Sequence, residues 1–203
     1  MKTVLLNDTR VAPSKIVCIG RNYVAHIEEL HNEMPTLMVV FMKPNSSVSQ
    51  VLVEGKSPLH YEGEISFLIK QGKVSAVGFG LDLTNRALQS ELKDKGLPWE
   101  RAKAFDGAAV FGKFVTIDEH DIDKLSMQLW INDVLVQEGN IDLMIYKPST
   151  IIAEINSFST LCDNDIVMSG TPKGVGTFKL GDKFIGKIFV NGREIVTNQW
   201  IVK

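Results

Sequence analysis

His60-Tyr61-Glu62-Gly63-Glu64-Ile65-Ser66-Phe67 lies inside an apolar run, 59–70, that reads as a long strand. The chain turns at Gln71-Gly72-Lys73 and returns through a second strand, 74–83. Side chains alternate along a strand, so Tyr61, Ile65, Phe67 and Ile69 face one way and His60, Glu62, Glu64 and Ser66 the other. With the turn centred on Gly72, positions summing to 144 stand opposite each other, pairing Glu62 with Asp82, Glu64 with Gly80 and Ser66 with Gly78. Three carboxylates then converge beside two glycines that leave room above the sheet. Like charges opposite each other destabilise a sheet, so the arrangement needs a cation or a proton. An all-oxygen site of Glu62, Glu64 and Asp82 suits Mg²⁺, or Mn²⁺, with positions left for water and a chelating ligand. The same pattern also describes the solvated face of a two-sided sheet, with the glycines merely turning the strand.

Outward from this hairpin, Lys15–Gly20 is a short apolar strand followed by a helix from 22 to about 32. Further strands are expected at 36–43, 48–54, Leu125–Ile131 and 166–169. Thr84 reads as the cap of a helix ending near Gly96-Leu97-Pro98, and Ser149 or Thr150 opens another. Asn191-Gly192 between two alternating runs is a hairpin signal. Strands dominate and the regular βαβ alternation is missing, so the fold class is α+β with an antiparallel or mixed sheet. With no repeat, low-complexity tract or linker, residues 1–203 are expected to form one domain.

Composition excludes several classes. A net charge of −2 without a basic stripe argues against nucleic acid, and no stretch reaches the ~18 apolar residues of a membrane span. Asn7, Asp8 and Arg10 cut the N-terminal apolar patch below signal-peptide length. Cys18 and Cys162 lack metal-ligand spacing and read as reduced thiols, which fits a cytoplasmic protein.

Several further segments recur in order. They are Gly20-Arg21-Asn22-Tyr23 with His26 and Glu29, Phe41-Met42-Lys43-Pro44, and Leu81-Asp82-Leu83-Thr84 with Arg86 and Gln89. Lys95-Gly96-Leu97-Pro98-Trp99, Lys103-Ala104-Phe105-Asp106 and Ser169-Gly170-Thr171-Pro172-Lys173-Gly174-Val175-Gly176 follow. In this order and spacing the chain resembles the fumarylacetoacetate hydrolase family, in its short, single-domain acylpyruvase-like branch, from about Lys15 to the C-terminus. The resemblance implies a mixed β-roll with a few short helices, a homodimer, and Mg²⁺ held by Glu62, Glu64 and Asp82. It also implies a substrate site lined by Arg21, His26, Glu29, Gln89, Lys103, Gly170 and Thr171. Many relatives carry a helical insertion where this chain has the turn at Gly72. Larger ones carry an acidic ligand near the position of Asn22.

The chemistry expected from these residues centres on a small 2-oxo acid that chelates the metal through its carboxylate and keto oxygen. The metal would stabilise an enolate, with Lys103 as cationic partner. His26 and Glu29, three apart on a helix whose buried face is Tyr23, Ile27 and Leu30, are neighbours, so Glu29 can orient the imidazole as a base. The glycine-rich loop lacks the Gly-Lys-Ser/Thr ending of a phosphate loop, and the Thr171 hydroxyl and nearby N–H groups are expected to hold the substrate carboxylate. Gln89 is a candidate hydrogen-bonding partner. The first expectation is hydrolysis of a carbon–carbon bond in a 3-acylpyruvate. Oxaloacetate decarboxylation, oxaloacetate tautomerisation and 2-hydroxydienoate isomerisation share the same enolate. A binding or scaffold module with no metal is the reading from another class. The segment 22–35, with its narrow apolar stripe, is expected to close over the site as a lid.

Overall fold

The computed structural model describes residues 1–30 and 36–203. In chain order the first elements are β1 (Val4–Leu6), β2 (Thr9–Val11), β3 (Lys15–Gly20), α1 (Val24–Glu29), β4 (Val39–Pro44) and β5 (Val48–Ser49). Next come β6 (His60–Tyr61), β7 (Gly63–Lys70), β8 (Lys73–Asp82), α2 (Arg86–Asp94), α3 (Glu100–Lys103) and β9 (Ala109–Thr116). The C-terminal part holds β10 (Leu125–Ile131), β11 (Val134–Asn140), α4 (Pro148–Phe158), β12 (Ile166–Met168), β13 (Gly176–Thr177), β14 (Lys183–Val190) and β15 (Arg193–Ile201).

A nine-stranded sheet runs β2-β1-β9-β8-β7-β12-β3-β4, with β5 also paired to β9. It is mixed: β12 runs parallel to β3 and β1 parallel to β9, while β7, β8 and β9 are antiparallel. It curls into a half-barrel, as the β-roll expectation requires. The four-stranded antiparallel sheet β11-β10-β14-β15 covers one of its faces. Between the two sheets lies the larger core, where Ile65, Phe67 and Phe79 meet Met127, Phe184 and Trp200. The Phe79 and Trp200 rings stand 6.2 Å apart. On the opposite face Cys18, Leu68, Phe111, Phe114 and Met168 form a second core. That division is the alternation read from the sequence, with Tyr61, Ile65, Phe67 and Ile69 all in the larger core.

The β7–β8 register decides where the carboxylates go. Glu64 stands opposite Gly80 and Ser66 opposite Gly78, and the Asp82 N–H donates to the Glu62 carbonyl at 2.9 Å. The expected pairing is present, but for a different reason. The turn is the two-residue Gln71-Gly72, with φ of 51° and 73°, so Lys70 faces Lys73 and Ile69 faces Val74. A bulge then shifts the register by one before Leu68 meets Ala76. The Ser75 hydroxyl, beside the bulge, donates to the Leu68 carbonyl at 3.0 Å. Without that extra residue Glu62 would oppose Leu81, and Asp82 would turn to the other face of the sheet.

Other boundaries differ locally. The strand expected over 48–54 stops after Ser49, whose hydroxyl accepts from Val51 N at 3.0 Å and donates to Val51 O at 2.7 Å, replacing ladder bonds. Asn85, not Thr84, caps α2: its Oδ1 accepts from Leu88 N at 3.1 Å. Thr84 instead exchanges backbone bonds with His60. Pro148 takes the first position of α4, one residue before the expected start. Within the segment expected to act as a lid, Tyr23 and Ile27 are buried and Glu29 accepts from Gly174 N at 2.9 Å. These contacts fix α1 more firmly than a narrow stripe suggests; positions 31–35 of that segment lie outside the described residues. Among the described residues no helix is long and apolar enough to cross a membrane.

Candidate metal centre and substrate cleft

Glu62 sits in the break between β6 and β7, Glu64 near the start of β7 and Asp82 at the end of β8. All three are buried, and one oxygen from each lies within 4.8 Å of the others. Gly80 and Gly78 do not leave the expected room beside them. A Cβ on Gly80 would come within 2.5 Å of Ser66 Oγ and 2.7 Å of the Phe111 ring, and one on Gly78 within 2.9 Å of the Phe114 ring. The space the glycines release is filled by the second core.

Three cations answer the three carboxylates. Lys103 Nζ, at the end of α3, donates to Glu62 Oε2 at 2.8 Å and to Asp82 Oδ2 at 2.7 Å. Arg86, in the first turn of α2, makes a close ion pair with Glu62 Oε1 and donates to Gln89 Oε1 at 2.7 Å. Lys43, fully buried on β4, stands 2.7 Å from Asp82 Oδ1 and donates to the carbonyls of Lys103 and Ala108. Burial pushes the Glu62 carboxyl up, but Lys103 and Arg86 more than offset it and hold the group below the usual carboxylate range. Burial likewise lowers the Lys103 ammonium, and Asp82 and Glu62 reverse the sign, raising it above the ordinary lysine value. Glu64 goes the other way: burial, then the charges of Asp82 and Glu62, push it well up, against the Gly170 N–H and Lys103.

A divalent cation fits this donor set. Glu64 is the carboxylate whose charge is least compensated. Among the described residues Asp82 Oδ1 accepts no hydrogen bond, because Lys43 meets it without hydrogen-bond alignment. Three hard oxygen donors of this kind match Mg²⁺ or Mn²⁺.

The cluster forms the floor of a narrow cleft with a volume of about 40 Å³. Arg21, His26, Gln89, Lys103 and Thr171, expected at the site, line it together. His26 Nδ1 stands 3.2 Å from Glu29 Oε2, while Glu29 Oε1 accepts from Gly174 N, so Glu29 joins the helix to the glycine-rich loop. Thr171 and Gly170 are committed otherwise than expected. The Thr171 hydroxyl donates to the Gly63 carbonyl at 2.9 Å and accepts from Gln137 Nε2 at 2.8 Å. Gly170 N donates to Glu64 Oε2 at 2.7 Å. Neither is therefore a ready donor for a substrate carboxylate; both hold the Glu-x-Glu segment in place. Lys173 faces solvent.

Four further residues carry the site without a role having been read for them. Lys43 and Arg86 fall inside the quoted motifs, and a lone lysine directly after the apolar run 39–42 is a usable signal for the first. Gln137 bonds Gly63 N, Thr171 Oγ1 and Pro172 O, a long-range bracket with no local signature. Asn22 is buried and spends its amide on the backbone of Tyr146 and Ser169, so it is an anchor.

Comparison with known proteins gives a consistent result. Residues 15–196 match the family described as fumarylacetoacetate (FAA) hydrolase C-terminal. The mitochondrial oxaloacetate tautomerase oaa1 of Schizosaccharomyces pombe is 32% identical, covering 93% of this chain and 95% of its own. The oxaloacetate tautomerase YcgM of Escherichia coli is 34% identical, covering 84% and 86% respectively. The crystal structure of fumarylpyruvate hydrolase from Pseudomonas aeruginosa, in complex with Mn²⁺ and pyruvate, superposes with a TM-score of 0.88 at 26% identity, covering 99% of this chain and 95% of that one.

Proposed function

We propose that this chain, which belongs to the fumarylacetoacetate hydrolase family, is an oxaloacetate tautomerase using a divalent metal, Mg²⁺ with Mn²⁺ as substitute, at Glu62, Glu64 and Asp82. The observation that carries the reading is the placement of His26, oriented by Glu29, in the wall of the cleft whose floor is the acidic cluster. Two relatives that match over more than four fifths of both lengths carry that activity in their names. This reading replaces hydrolysis as the first choice because these relatives are named tautomerases, and the His–Glu pair expected to activate water serves a proton transfer equally well.

When bound, the metal supplies Lewis acidity that lowers the energy of charge developing on the substrate's carbonyl oxygen. His26 takes the proton from the carbon next to the carbonyl, and the oxygen gains a proton in exchange, so keto and enol forms interconvert without change of formula. With Nδ1 held by Glu29, Nε2 is the nitrogen that transfers the proton. Lys103 has three N–H groups; two go to Glu62 and Asp82, and the third is left for the substrate oxygen.

The test follows enol-oxaloacetate absorbance with metal present, together with pyruvate release from acetylpyruvate. Metal-dependent loss of the enol signal supports tautomerisation. Hydrolysis of a 3-acylpyruvate is the second reading, favoured by the likeness to fumarylpyruvate hydrolase, and pyruvate release is its signature. One catalytic domain, a homodimer and a cytoplasmic setting belong to the same proposal. The setting rests on two unpaired cysteines, against a relative named as mitochondrial.

A further inference from the structure

Lys43 is a fully buried charge on β4, and its contacts close a ring through the site. Its Nζ donates to the carbonyl of Lys103, to that of Ala108 at 3.0 Å and, more weakly, to that of Leu83 at 3.5 Å. It also stands 2.7 Å from Asp82 Oδ1 without hydrogen-bond alignment. An ammonium has three N–H groups, and all three are spent on carbonyls. Asp82 Oδ1 thus faces a positive charge while its lone pairs stay open. Asp82 Oδ2 accepts from Lys103 Nζ at 2.7 Å, and Lys103 is the residue whose carbonyl Lys43 holds.

Lys103 needs such a hold. It ends α3, little more than one turn of helix and too short to persist without outside contacts. The last carbonyls of a helix have no partner within it. Lys43 supplies one for Lys103, and the buried Ser47 hydroxyl donates to the Ala104 carbonyl at 3.1 Å. The segment 43–47 therefore brackets the stretch of backbone that carries Lys103.

We infer that Lys43 is a positioning residue with two tasks. It fixes the backbone that aims the Lys103 ammonium, and it tunes metal affinity by holding a positive charge beside Asp82 Oδ1 without occupying that oxygen. The inference rests on the reading of Glu62, Glu64 and Asp82 as the metal centre of a tautomerase. The two tasks have opposite effects. A fixed cation beside a ligand oxygen repels an incoming divalent cation, so Lys43 weakens metal binding. The same residue places the group that answers charge developing on the substrate oxygen, so it raises kcat. A residue that merely held the fold together would support both.

The experiment measures Mg²⁺ affinity by calorimetry, and kcat for enol-oxaloacetate conversion, in the wild type, Lys43→Met and Lys43→Gln. Methionine fills a similar volume with neither charge nor donor. Glutamine removes the charge but keeps two N–H donors for the carbonyls. Lys43→Met should bind Mg²⁺ about 3- to 10-fold more tightly and lose about 10- to 100-fold in kcat. Lys43→Gln should match that gain in affinity and lose less in kcat. Should Lys43→Met fail to fold, the sign of the affinity change in Lys43→Gln decides alone. Affinity that falls or stays level in the folded variants, or a kcat that Lys43→Met leaves intact, overturns the inference. A wild type that binds Mg²⁺ yet leaves enol-oxaloacetate unconverted sinks the tautomerase reading alone. The affinity comparison then still decides the role of the charge, and pyruvate release from acetylpyruvate supplies kcat.

Discussion

Gly170 donates its backbone N–H to Glu64 Oε2 at 2.7 Å, tying the glycine-rich loop to the carboxylate most in need of a cation. The loop reaches that position through a φ of 97° at Gly170, and a Cβ there would stand 2.8 Å from the Asn22 side chain and 3.1 Å from the Ile19 carbonyl. Gly170→Ala should therefore move the loop and lose the bond. Metal affinity is expected to fall on the order of 10- to 100-fold, as for other groups that orient a ligand. Calorimetric titration with Mg²⁺ or Mn²⁺ checks this, and unchanged affinity would show that Glu64 is oriented without Gly170.

Glu64 also sets a pH dependence. Its pKa is raised in the folded protein, so without metal it stabilises most below the ordinary carboxylate range. That contribution is lost as pH rises from there through the raised pKa, because the unfolded chain ionises first. Glu64→Gln should flatten this decline in the metal-free protein while abolishing tight metal binding. Urea unfolding of both proteins across a pH series, with chelator present, measures it. Parallel curves would mean that Glu64 ionises without penalty.

Asp165 shows the opposite sign. Its buried carboxylate accepts from Ser14 Oγ at 2.6 Å, Lys15 Nζ at 2.6 Å and Cys162 N at 2.9 Å, fixing the start of β3 to the turn before β12. Burial raises its pKa, but the bonds from Lys15 and Ser14 outweigh that and lower it. Its stabilisation is thus present above the ordinary aspartate range and lost as pH falls through the lowered value. Asp165→Asn should cost about 2–4 kcal/mol at neutral pH, and less in acid. An equal cost at both pH values in denaturant unfolding contradicts this.

The fold was largely readable because the decisive signals are local: alternation over 63–70, the Asn191-Gly192 turn and the boundaries of Lys15–Gly20. The triad was readable only because two errors cancelled. The turn at Gln71-Gly72 is one residue shorter than assumed, and the bulge at Ser75 restores the register. A single β-bulge has no sequence signature strong enough to predict it. The site's supports were harder to see. Gln137 acts across 34 to 74 positions of chain, and nothing local distinguishes it from an ordinary strand glutamine; Lys43 acts across 39 to 65, marked only by its place at the end of an apolar run. Thr171 lines the cleft, but its hydroxyl's acceptor, Gly63 O, comes from a distant strand that no local pattern around Thr171 announces.

The most direct measurement is the rate at which enol-oxaloacetate converts to the keto form with wild type and His26→Ala, each with Mg²⁺ and with chelator. The wild type should accelerate conversion only with metal, and His26→Ala should lower that rate on the order of 10²- to 10⁴-fold while keeping metal affinity and fold. Acceleration that survives chelation, or that His26→Ala leaves intact, would contradict a tautomerase built on the acidic cluster and its facing histidine.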